Sequence, residues 1–185
     1  MPVRVLSFRP IRSALRAALL PLALAFTILT GRAAAADHPA PPDPKPLAPL
    51  EKLVGTWQGN AQMGGKTMPV TITYVSTAGG SAIVEHLFPG TPHEMMSVYT
   101  VEGDKVAMTH YCALGNHPKM TLKKSDAHSL SFEAAGAEGL RSPSEMHMHA
   151  MTLSFTDGDH IRETWTSFAD GQPKEQKVFD LTRKP

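Results

Sequence analysis

Cysteine is nearly absent: Cys112 stands alone among 185 residues. With no intramolecular partner it closes no disulfide, so stability has to come from an ordinary hydrophobic core. Long apolar runs are missing after residue 36, and nothing there reads as a membrane-spanning helix. Helical periodicity is scarce beyond residue 54. No phosphate-cradling glycine loop, C-x-x-C pair, H-E-x-x-H helix or G-x-S-x-G elbow occurs, which withdraws support from the enzyme classes that carry them. A cationic block is lacking too. The formal net charge of +1 conceals an asymmetry, because Arg4, Arg9, Arg12, Arg16 and Arg32 lie in the first 36 residues with no acidic residue among them. The remainder is mildly acidic. That leaves no electrostatic basis for binding nucleic acid or anionic lipid.

What the first 36 residues do contain is an address. A charged start from Arg4 to Arg16 precedes the apolar run Ala17 to Leu29, which Pro21 interrupts and which is short for a membrane span. Ala34-Ala35-Ala36 then supplies small residues for cleavage. Together these read as a secretory signal peptide over 1–36, predicting a periplasmic or secreted protein without a membrane span after cleavage. Residues 37–49 hold six prolines in thirteen positions, an extended tether.

From residue 50 to 185 the chain predicts one all-β domain. Short β-rich runs alternate with turn signals: 55–62, 67–76, 81–88, 94–102, 105–113, 118–124, 128–134, 147–156, 159–168 and 175–184. Leu47, Leu50, Leu53 and Val54 fit a short helical turn ahead of them. About ten sequential strands joined by short connections hide their edges most simply by closing into an up-and-down antiparallel barrel.

Gly55-Thr56-Trp57, after a helical turn and at the start of a meander, resembles the G-x-W opening of the lipocalin and calycin group. That resemblance implies that a basic residue on the last strand packs across Trp57, and Arg183 matches the role by its alternation with Phe179 and Leu181. The segments Thr109-His110-Tyr111-Cys112, Gly115-Asn116, Pro118 and His147-Met148-His149 are similar to those of secreted bacterial proteins with lipocalin-like or nitrobindin-like barrels. The family implies no settled activity. No haem-ligand motif of the nitrobindins maps onto a histidine here, so the resemblance does not extend to haem.

Alternation also places chemistry inside the barrel. Successive strand residues point to opposite faces, so His110 and Cys112 follow Val106 and Met108 inward. By the same parity His147 and His149 share the face of Met151, Leu153 and Phe155. Glu85 and His86 compete for the interior, since both faces of their strand are apolar. Three readings of the His110, Cys112, His147, His149 and Glu85 group stand open. It lines a cavity and orients a small, largely apolar ligand; it holds zinc or copper through His110, His147, His149 and Cys112, as a carrier or a metal-dependent enzyme; or the barrel is structural. No third partner or oxyanion hole accompanies Cys112 and His110, so the expectation leans away from an enzyme. Residues 135–146 lack periodicity and read as a lid or a surface excursion.

Overall fold

The structure, a computed structural model, describes Asp43 and residues 45–185. The expected signal peptide and most of the expected tether lie outside them. Ten antiparallel strands follow in sequence: β1 Gly55–Met63, β2 Lys66–Thr77, β3 Ala82–Leu87, β4 Met95–Glu102, β5 Lys105–Tyr111, β6 Lys119–Ser125, β7 Ser129–Ala134, β8 His147–Phe155, β9 His160–Ala169 and β10 Gln172–Arg183. Each pairs with the next, and β10 returns to β1 from Gln62↔Val178 to Trp57↔Arg183. Closure leaves none of the ten strands at a free sheet edge, which is the usual hazard of a long meander. The expected ten-strand barrel is therefore the fold. Among the described residues no helix is long and apolar enough to cross a membrane.

β1 and β10 can close only because residue 59 is glycine. A Cβ at Gly59 would sit 1.8 Å from the Asp180 carbonyl oxygen of the facing strand. Such spots, where one backbone presses on another, are a recognised use of strand glycine.

One end of the barrel is plugged by the helix α1, Ala48–Glu51, with Pro49 in its first turn where a missing N–H costs nothing. Leu47, Leu50 and Leu53 from this segment are essentially fully buried. The Trp57 indole N–H donates to the Leu53 carbonyl at 2.8 Å. Arg183 lies with its guanidinium carbon 4.3 Å from the centre of the Trp57 ring, and it donates to the carbonyls of Val54 (3.0 Å) and Lys52 (2.6 Å). A planar cation thus satisfies the free carbonyls at the end of the helix while covering an aromatic face.

Large side chains fill the waist. Ile72, Tyr74, Tyr99, Phe132, Trp165 and Phe179 are each nearly or wholly buried, with Tyr99 and Phe132 meeting edge to face at 5.5 Å. Burial of each such side chain contributes about 1.5–3 kcal/mol. The interior is a core through most of its length, and room remains near the end opposite the helix.

Three strands carry bulges, and one of them changes the site. In the β8–β9 pairing the register runs His147↔Phe168 and Met148↔Ser167, then resumes at Ala150↔Thr166. The extra residue is His149. It inverts the alternation upstream, as a bulge does. Met148 and Met151, three residues apart, both face inward, while His147 and His149 lie on the Phe168 face.

Candidate functional site

The end opposite the helix is built from the last residues of β1, β3 and β5 and the first of β4, β8 and β10. Met63, Phe88, Met95, Cys112, Leu114, Met146 and Met148 surround a pocket of about 180 Å³, with His93, Ser167 and Lys177 at its margin. Leu114 and Met146, both about half exposed, bring apolar surface to its rim. Beneath it lies a void of about 10 Å³ walled by Leu87, Met95, His110, Met148, Trp165, Lys177 and Phe179. Met95, Met148 and Lys177 border both spaces, so the mouth leads toward His110.

His110 is 1% exposed and its ring lies 4.6 Å from the Trp165 ring. Its Nδ1 is 3.0 Å from the Ser97 hydroxyl oxygen, and its Nε2 is buried with no protein partner. Burial lowers its pKa to about 4, so the ring is neutral at physiological pH. A buried nitrogen without a partner is costly, and among the described residues His110 Nε2 shares that condition only with Asn116 Oδ1.

Behind Ser97 stands a pair of fully buried carboxyls, Glu85 on β3 and Glu163 on β9. The Tyr99 hydroxyl donates to Glu85 at 2.7 Å. Glu163 accepts from the Tyr74 hydroxyl at 2.6 Å and from the Trp165 indole N–H at 3.0 Å. Tyr74 also reaches Glu85 at 3.3 Å. Desolvation pushes the Glu85 pKa well above the ordinary range, and the neighbouring Glu163 charge adds to the rise. Glu163 is also raised by desolvation, against the pull of bonds from Tyr74, Trp165 and Glu85. Two desolvated carboxylates in contact do not both ionise, so Glu85 keeps its proton and donates it toward Glu163. Burial first, and then these carboxyls, push Tyr74 and Tyr99 far above the usual phenol value, fixing both as donors.

The residues expected from sequence separate into two places. His110 and Glu85 face the interior, linked through Ser97, which lies within hydrogen-bonding reach of Glu85. Cys112 borders the mouth, its Sγ 4.0 Å from Met95 Sδ, and burial raises its thiol pKa. His147 and His149 do not join them, a correction that follows from the bulge. His147 Nδ1 donates to the Glu145 carbonyl at 2.6 Å and its Nε2 accepts from His149 Nδ1 at 3.1 Å, so both of its ring nitrogens are committed. His149 stacks on Phe168 with centroids 3.9 Å apart. Among the described residues no three His, Cys, Asp or Glu side chains converge in a metal-holding group.

Glu163 and Ser97 escaped the sequence reading, although a signal existed. Glu163 sits between Ile161 and Trp165 at strand spacing, a lone charge on an apolar face. Residues 135–146 are a tethered excursion that supplies Met146 to the pocket wall. Asn116 donates to the Met146 carbonyl (2.8 Å) and to Glu145 (3.1 Å), and the Asp170 N–H donates to the Ser144 carbonyl (3.0 Å). Gly139 presses on the His117 carbonyl, where a Cβ would come within 2.0 Å.

A wider cleft of about 550 Å³ lies at the other end, between α1 and the β6–β7 and β8–β9 turns. Leu53, Trp57 and Arg183 of the plug form part of its wall, and it shares no lining residue with the mouth pocket. Size alone therefore does not mark the site; the unpartnered nitrogen does.

The sequence matches no protein-family model and no curated protein. Among solved structures, a Nostoc punctiforme protein of unknown function from the DUF3598 family has a similar fold, with a TM-score of 0.52 at 12% identity. The match covers 73% of this chain and 49% of that one, so this chain spans about half the length of its structural neighbour. At that identity the likeness is one of fold alone.

Proposed function

We propose that this is an exported small-molecule binding barrel whose ligand enters the mouth formed by Met63, Phe88, Met95, Cys112, Leu114, Met146 and Met148. The observation that carries the reading is a concave apolar pocket of about 180 Å³ with half-exposed Leu114 and Met146 at its rim. Cavities of roughly 150 Å³ lined by apolar side chains accept benzene. The occupant is accordingly small, on the scale of a single ring, and not the long ligand that an open barrel would enclose. His110 and the Lys177 ammonium supply the orienting polar groups below it. The lipocalin-like opening at Gly55-Thr56-Trp57 and the secretory start of the chain support the same reading.

The test is a thermal-shift and ligand-detected NMR screen of the purified protein with single-ring apolar compounds. Leu114→Glu/Met146→Glu serves as control, since both side chains are already half exposed and tolerate charge. A saturable shift in the natural protein that disappears in the control is expected. Equal responses from both proteins, or none from either, would sink the proposal.

A further inference from the structure

We propose that the passage from the mouth to His110 is a site for one soft monovalent metal ion, Cu(I) or Ag(I), held by His110 Nε2, the thioethers of Met95 and Met148, and the Cys112 thiolate. Met95, Met148 and His110 wall the same void of about 10 Å³, a space for one small sphere. His110 Nε2 is fully buried there and has no partner. With Nδ1 donating to Ser97, Nε2 presents its lone pair to that space. Leu87, Trp165 and Phe179 complete the apolar part of the wall, with Lys177 at its border. Thioether sulfur is a ligand that soft ions accept and hard ones refuse.

Cys112 joins from above. Its Sγ stands 4.0 Å from Met95 Sδ. Two sulfurs bound to one ion at about 2.3 Å in a trigonal arrangement would be roughly 4 Å apart, so the existing separation suits a shared ion. The thiolate also solves the charge problem. A cation among neutral donors would be desolvated and uncompensated, whereas binding that expels the Cys112 proton to solvent leaves a neutral metal–thiolate unit. No electron is transferred. Lys177 borders the space as well, but its ammonium is paired with Glu175 at 2.8 Å, and its field favours the thiolate. This site uses neither His147 nor His149, and it differs in donor set from the four-residue cluster that parity predicts.

The inference goes beyond apolar ligand binding while sharing that pocket's walls, and the variants keep the two apart. Anaerobic titration of the reduced full chain with Cu(I), repeated with Ag(I) as a redox-inert check, should give one equivalent bound with a thiolate-to-metal absorption band. Met95→Leu/Met148→Leu preserves volume and apolarity but removes both thioethers, so it should bind metal at least about tenfold more weakly, whereas Leu114→Glu/Met146→Glu, which removes the apolar rim and no donor, should still bind one equivalent. Cys112→Ser should lose the band and weaken binding similarly. Unweakened metal affinity in the methionine double variant, or no Cu(I) or Ag(I) bound beyond what Cys112→Ser binds, would overturn the assignment.

Discussion

Replacing Glu85 by Gln tests whether the barrel core stores a proton. Glu85 is inaccessible to solvent and its pKa is raised, first by burial and then by Glu163. In the unfolded chain a glutamate gives up its proton near pH 4.3. The folded protein retains it to higher pH, so above that point the native state binds one proton more than the unfolded state. Stability then falls with pH at about 1.4 kcal/mol per unit, fully present below pH ~4.3 and lost until the folded-state pKa is passed. Gln is nearly isosteric and never ionises. Its carbonyl can accept from Tyr99 and its amide can donate to Glu163, so the network's connections survive.

The assay is urea unfolding of both proteins at intervals from pH 4 to pH 8, reading midpoint and slope. Subtracting the two stability curves cancels the titration of the distant groups. Near pH 4 the proteins should be similar in stability, and with rising pH Glu85→Gln should gain on the natural protein at about 1.4 kcal/mol per unit. Each such pH unit corresponds to roughly 5 °C in Tm for a domain of this size. Parallel curves across the whole range would refute the reasoning, since they would mean that Glu85 ionises in the fold as readily as in the open chain.

In metal-free protein His110 should act with the opposite sign: its pKa is lowered to about 4, so its contribution is whole above about pH 6.5 and declines as pH falls toward 4. Replacing it with Gln should flatten that acid limb by about 3 kcal/mol, read from the same unfolding series. Arg183→Met should lower the urea midpoint by the equivalent of about 1–3 kcal/mol, because it removes the cation over Trp57 and two donors to Val54 and Lys52. Gly59→Ala should cost at least about 2 kcal/mol by driving β1 from β10, visible as a lower Tm and faster amide exchange along both strands.

How much was legible depended on whether the backbone repeat ran uninterrupted. All ten strands could be read, because each β-rich run ends at residues that disfavour strand, such as Gly64-Gly65, Pro89-Gly90 and Asp170-Gly171. Within β5 the alternation holds from Val106 to His110, and the inward placement of His110 follows. On β3 the apolar character of both faces hid the choice between Glu85 and His86, and only the register with Ser97 and Tyr74 decides it. The pairing of Glu85 with Glu163 joins β3 to β9 across the barrel, and no local pattern reports a contact of that kind.

The bulge at His149 is the instructive failure, because it is also what makes the site. The run His147-Met148-His149 contains no Gly, Pro or Asn to announce an extra residue, so strict alternation sends both histidines inward. The added residue instead turns both toward Phe168 and brings Met148 over His110, on the same side as Met151. Had the parity continued, Met148 would face outward. The mouth would then be walled by imidazoles that hydrogen-bond one another and water. With the bulge, the one imidazole left inside has an unpartnered nitrogen among thioethers and aromatic rings. The irregular strand thus sets what surrounds that nitrogen, placing a thioether in the wall it faces.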